Sequence, residues 1–252
     1  MHPVLFRIGA WSFYTHGVMS VLGIIIGSLV VYFLARKKAL DVGYFFDNIV
    51  FTVLFGIIGA RIAYLILYHD QFSGFASTIN LQKGGLVSYG GFILGGVVFA
   101  FLLRSQKQPI LRWLDVTSIG FFLGLSLGRI GCLLAGEYDG ITTSNKWLSV
   151  LPQNNTIATS FFEAILCLII FGAGVVAYNK LYDKINTGII FFSSIIVYAL
   201  GRFIIDFGGS EGDLFWKISI GQLFSAIIIT ISLIALIRMQ KRSPNDRRQE
   251  VL

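Results

Sequence analysis

The sequence predicts an all-α fold: a polytopic membrane protein of seven transmembrane helices, with the N-terminus outside and the C-terminus in the cytoplasm. Three observations predict it. Of 252 residues, 55% are hydrophobic and only 13% charged, whereas a soluble domain carries about 25% charged residues. Seven apolar stretches approach the roughly 20 residues needed to cross a bilayer core: about 17–35, 45–68, 86–103, 114–135, 161–179, 187–206 and 218–238. Finally, Lys and Arg alternate between the loops in the manner that sets membrane orientation.

The segment before the first span holds one Arg and several aromatics. It has no basic start followed by an apolar core and a small-residue cleavage site, so the first apolar run is expected to stay in the membrane. The loop after span one carries Arg36, Lys37 and Lys38, the loop after span three Arg104, Lys107 and Arg112, and the loop after span five Lys180 and Lys184. The tail after the last span carries Arg238, Lys241, Arg242, Arg247 and Arg248. That places thirteen basic residues on one side, against Arg7, Lys83, Lys146 and Lys217 on the other. The net charge of +7 is therefore topological, and nucleic-acid binding is not expected. One domain over 1–252 is the expected organisation, with an outer loop at about 136–160 and a basic cytoplasmic tail at about 239–252 set against anionic headgroups. Cys132 and Cys167 lie in apolar runs with neither disulfide nor metal spacing.

Three basic residues remain, Arg61, Arg129 and Arg202, all within predicted spans. A cation at mid-membrane costs at least about 2.5–3.5 kcal/mol on insertion scales, so such residues face a cavity or a partner. The orientation puts all three in the outer halves of their helices, which suggests a common anion site. Each alone is equally consistent with snorkelling to headgroups or with a local acid; Asp206, four residues after Arg202, offers an intrahelical pair. Gly120, Gly124 and Gly128 recur every fourth residue and Cys132 and Gly136 continue the series, a small-residue stripe suited to close helix approach. Tyr89 opens span three within "SYGGFILGG". His16, Glu163, Ser219, Gln222 and Ser225 add polar groups at the outer ends, where headgroup contact or interhelical hydrogen bonds are the simpler roles. Guanidinium groups favour phosphate, which they bind in bidentate fashion. Glu137 and His16 offer proton acceptors, and such a site suits displacement at a glycerophospholipid.

At these residues the chain resembles the bacterial prolipoprotein diacylglyceryl transferase family. "GRIGCLLAGEYDG" is similar to the signature GRxGNxxNGExxG, with Arg129, Gly131, Gly136, Glu137 and Gly140 matching. The likeness runs along most of the chain. "HPVLFRIG" and "HGVMSVLG" resemble the amino-terminal segment, "GARIAYLILYH" the second span with Arg61, and "GGLVSYGGFILGG" an HGG block. "SFFEAIL" resembles HPxQLYE and keeps Glu163, "YALGRFIIDF" resembles YGxxRFxxEF and keeps Arg202, and "ISIGQLFS" resembles the last-span motif with Gln222.

The resemblance implies transfer of a diacylglyceryl group from phosphatidylglycerol to the lipobox cysteine of a preprolipoprotein, in the bacterial inner membrane, without metal or soluble cofactor. A thioether forms and glycerol 1-phosphate leaves. It further implies that Arg129 and Arg202 hold the phosphate and that Glu137 shapes the site. Arg61, Gly131, Cys132, Gly136, Gly140 and Gln222 are the accompanying candidates for binding phosphatidylglycerol. The departures are Cys132 and Ala135 for the signature asparagines, Tyr89 for the HGG histidine, His16 where tyrosine is usual, Gly209 where a further arginine follows, and loss of HPxQ. His16 and Tyr89 are expected to have exchanged places around one cavity, with His16 as the base, since an imidazole of pKa about 6.5 suits a thiol. A divergent paralogue with another acceptor remains an alternative, as does a non-catalytic lipid- or anion-binding protein or transporter. The internal repeats and broken spans of a transporter are not evident.

Overall fold

The computed structural model describes residues 3–9, 11–69, 85, 87–136, 140–149, 155–209, 213–215 and 218–241. Seven long helices form as the apolar stretches demand: α1 Thr15–Lys37, α2 Val42–Leu67, α3 Ser88–Ser105, α4 Ile110–Ala135, α6 Thr159–Lys180, α7 Ile189–Ile205 and α8 Ile220–Lys241. A single turn, α5 Lys146–Ser149, lies between α4 and α6. All seven long helices are apolar and long enough to cross a bilayer, so this is a multi-pass membrane protein.

The chain divides into two compact units, Met1–Leu34 with Leu111–Leu252, and Ala35–Ile110. In the second unit, α2 begins at Asp41, whose carboxylate accepts the N–H groups of Gly43 and Tyr44 as an N-cap. Gly56 and Gly59 of α2 meet Gly91 and Gly90 of α3 backbone to backbone.

In the first unit, α1 packs antiparallel on α4. A Cβ on Gly27 would stand 2.5 Å from the carbonyl oxygen of Gly120, and one on Gly124 would stand 2.7 Å from that of Gly23. Both distances lie inside van der Waals contact, so the expected glycine stripe is a packing seam over its first half. A different face of α4 lies on α6. Ile119 meets Gly174, Phe122 packs with Cys167 and Ile170, and the Ser126 hydroxyl donates to the Ala164 carbonyl. At the other end of the bundle the buried Asp115 of α4 accepts N–H groups from Gly188 and Phe191, at 2.6 and 2.9 Å, and so caps α7. Tyr178 of α6 donates to the Leu34 carbonyl.

Two hairpins were not expected from the apolar pattern. β1 Val4–Ile8 pairs with β2 Trp11–Tyr14, with Ile8 opposite Trp11 and Gly9, directly after β1, at φ +59°. β3 Asp213–Phe215 pairs with β4 Ile218–Ser219 just before α8. The loop expected at about 136–160 is partly built from backbone pairing. Thr142 bridges Thr156, Gly140 bridges Gly209, and the Ile141 N–H donates to the Gly208 carbonyl.

Candidate functional site

The site grows from one carboxylate. Glu163 lies in the first turns of α6, flanked by apolar residues, and is fully buried. A buried ionised carboxylate requires compensating charge and hydrogen bonds, and three side chains supply them. The Nη1 of Arg202 (α7) donates to Oε2 at 2.6 Å, and the Tyr198 hydroxyl donates to Oε1 at 2.6 Å. The Nε of Arg129 (α4) stands 3.0 Å from Oε1. That contact is ionic rather than a hydrogen bond, because the Nε–H is not aligned on the oxygen. Two guanidinium groups from different helices thus meet at one acid.

Helical spacing explains the arrangement. Tyr198 and Arg202 are four residues apart and share one face of α7, opposite Glu163 on α6. On α4, the sequence Phe122, Ser126, Arg129 advances by the helical repeat along the face that meets α6 at Cys167, Ala164 and Glu163. Arg202 is held from its far side too. Its Nε lies 2.9 Å from Oδ1 of Asp206, the intrahelical pair anticipated from the sequence. Two cations and two carboxylates leave the cluster formally neutral.

A polar chain continues from Asp206. Its Oδ2 accepts the Ser219 hydroxyl at 3.5 Å, a long and weak contact. The same hydroxyl oxygen accepts the Gln222 N–H, while Oε1 of Gln222 accepts the Ser219 N–H. That reciprocal pattern is a capping box at the start of α8. The side-chain oxygen of Gln222 is therefore engaged in holding a helix end beside the cluster.

The other predicted residues fall as follows. A Cβ on Gly131 would stand 2.6 Å from Cβ of Met19 and 3.2 Å from Cα of His16, so the first turn of α1 passes directly over the last turns of α4. His16 itself is exposed in that turn. Cys132 is a half-buried thiol outside any disulfide, next to Gly131. Gly136, at φ +85°, ends α4 in the left-handed conformation that glycine favours. Gly140 sits where a Cβ would collide with the Ile157 carbonyl, so its role is close backbone approach in the bridge to Gly209. Glu137 lies outside the described residues.

Arg61 and Tyr89 belong to the second unit. Arg61 is buried on α2, its Nη1 donating to the Gly85 carbonyl at 2.9 Å and its guanidinium 5.6 Å from the centre of the Tyr64 ring. Tyr89 is half-buried in the first turn of α3.

Sequence reasoning missed Tyr198 as a member of the site and treated Glu163 as a peripheral polar group. The signal was present: Glu163 is a carboxylate near the start of a predicted span, two residues after its expected first position, with apolar residues on both sides. No group of three or more His, Cys, Asp or Glu side chains capable of holding a metal occurs among the described residues.

Comparison with known proteins agrees with this architecture along the chain. A family profile described as prolipoprotein diacylglyceryl transferase matches residues 3–238. Phosphatidylglycerol–prolipoprotein diacylglyceryl transferase 1 of Clostridium perfringens is 28% identical over 98% of each chain. The similarly named protein of Wolbachia pipientis is 29% identical over 93% of each. That of Clostridium botulinum is 26% identical over 96% of this chain and 98% of its own.

Proposed function

Because the chain belongs to the prolipoprotein diacylglyceryl transferase family, we propose that it transfers the diacylglyceryl group of phosphatidylglycerol to the lipobox cysteine thiol of a preprolipoprotein. The sulfur attacks the glycerol carbon that carries the phosphate, and that C–O bond breaks. A thioether forms, glycerol 1-phosphate departs with the bonding pair, and the thiol proton passes to a base, for which His16 is our choice. The observation that carries this reading is the meeting of Arg129 and Arg202 on Glu163. Guanidinium groups held by a buried acid are pre-aimed, so stabilising the leaving phosphate needs little reorganisation.

The basic-residue asymmetry supports an N-terminus outside and a cytoplasmic C-terminus, which puts the cluster on the outer side of the inner membrane, where a translocated lipobox would arrive. The two units then serve one functional domain, with Arg61 and Tyr89 as further candidates for lipid contact and Glu137 as a shaping residue. The partners are phosphatidylglycerol, the lipobox peptide and the bilayer, with no nucleic acid and no cofactor.

The test is complementation of a bacterium depleted of its own transferase, followed by mass spectrometry of a lipobox peptide incubated with phosphatidylglycerol and the purified protein. Rescue and a diacylglyceryl adduct are expected, both lost in Arg129→Ala. Good expression with neither rescue nor adduct overturns the proposal.

A further inference from the structure

Ser160 carries a buried, unused hydroxyl one helical turn before Glu163. It is the second residue of α6, on the same face as Glu163, and only 1% exposed. Its Oγ has no hydrogen-bond partner among the described residues. Serines and threonines deeper in helices satisfy themselves by donating to a carbonyl three or four residues back. Thr117, Ser118 and Ser193 do so here. At the second helical position no helical carbonyl lies that far back, so Ser160 has no such outlet. A buried hydroxyl without a partner costs free energy, and one that persists beside a charged cluster invites a ligand.

The surroundings specify the ligand's charge. The Arg129 Nε–H, 3.0 Å from Glu163 but unaligned with it, is a second buried donor without a hydrogen-bond acceptor. The N-terminus of the 22-residue α6 adds partial positive charge, and its N-cap position, Ala158, contributes no side-chain hydrogen bond to absorb it. Arg129, Arg202, Glu163 and Asp206 sum to neutrality, so the helix end supplies the surplus that favours an incoming anion.

We propose that the Ser160 hydroxyl, together with Arg129 and the first turn of α6, binds a phosphate oxygen of the glycerophospho group, making Ser160 a further substrate-binding residue of this site. The assignment rests on the proposed transferase reading for the identity of the lipid. Its chemistry, an oxyanion accepting from a buried hydroxyl, is shared by the intact lipid, by glycerol 1-phosphate and by free phosphate.

The experiment compares wild type with Ser160→Ala at full length in detergent micelles. Four readings are taken: transfer kinetics against phosphatidylglycerol, kinetics against the lipobox peptide, inhibition by glycerol 1-phosphate and by inorganic phosphate, and thermal unfolding with and without phosphatidylglycerol. Losing a hydrogen bond to a charged oxygen should lower kcat/KM for the lipid about ten-fold and weaken glycerol 1-phosphate inhibition by a similar factor. The peptide KM should not change. The lipid-free protein should unfold at the same temperature or higher, because the hydroxyl removed had no partner. A glycerol 1-phosphate effect without an inorganic-phosphate effect identifies the lipid headgroup, and equal effects identify bare phosphate. Kinetics within two-fold of wild type, or a lipid-free protein destabilised by the substitution, overturns the assignment. If wild type transfers nothing, the transferase reading fails by itself. The Ser160 assignment is then judged by whether phosphatidylglycerol raises the unfolding temperature more in wild type than in Ser160→Ala, and equal shifts overturn it.

Discussion

Replacing Glu163 with glutamine is the sharpest perturbation the cluster offers. Size and burial are kept while the negative charge is removed. Glu163 faces Arg202 at 2.6 Å and Arg129 at 3.0 Å, so each guanidinium loses a close counter-ion. At an effective dielectric of about 20, two unit charges about 4 Å apart interact by about 4 kcal/mol. Removing one partner of a buried pair costs about 3–5 kcal/mol in practice. Asp206 still neutralises Arg202 at 2.9 Å, so the loss falls mainly on Arg129, for which no second acid is found among the described residues. At about 2–4 °C per kcal/mol for a chain of this size, Glu163→Gln should lower the unfolding temperature by about 6–20 °C in detergent. It should also reduce transfer to a lipobox peptide at least about a hundred-fold, because the guanidinium groups lose their aim. A second signature separates this from simple damage. The lipid phosphate now supplies the missing negative charge, so phosphatidylglycerol should raise the unfolding temperature more in Glu163→Gln than in wild type. An unfolding temperature within 2 °C of wild type and transfer within three-fold, on the order expected of a surface substitution, would refute the view that Glu163 holds the arginines.

Three further outcomes are expected. His16→Ala should abolish transfer while Tyr89→Phe lowers it less, measured with the lipobox peptide; full activity in His16→Ala dismisses His16 as the base. Cys132→Ala should leave transfer within about two-fold of wild type, since a small half-buried residue in a helix has a packing role; a loss beyond about a hundred-fold would make the thiol a reactant. Gly140→Ala should destabilise the protein by about 1–3 kcal/mol, the cost of forcing volume into a tight site. Its Cβ would meet the Ile157 carbonyl and part the bridge to Gly209. An unchanged melt would show that this loop yields freely.

The helices were legible in the sequence because a bilayer demands long apolar runs, and the seven long helices follow them within a few residues. The hairpins were not, because strands this short leave no periodic trace among aromatic and aliphatic residues. Gly9, set between two stretches of aromatic and aliphatic residues, is the one local clue. In the site, Arg129 and Arg202 stood out because buried cations are costly wherever they occur. Asp206 followed from its spacing to Arg202. Tyr198 did not stand out, because an aromatic in a membrane span is ordinary, and only its hydroxyl on Glu163 sets it apart. Gln222 has a structural role that its sequence position did not reveal. A polar residue at a span's start suggested a ligand contact, and its oxygen also caps α8 with Ser219.

The pairing of Arg129 with Glu163 has a bearing on biosynthesis. The ribosome delivers α4 before α6, so the guanidinium reaches the bilayer while its counter-ion is still unmade. A chain stalled between the two helices holds a lone cation in hydrocarbon at a cost of about 2.5–3.5 kcal/mol. Threading α6 beside α4 removes that cost, so the acid assists assembly as well as bracing the finished site.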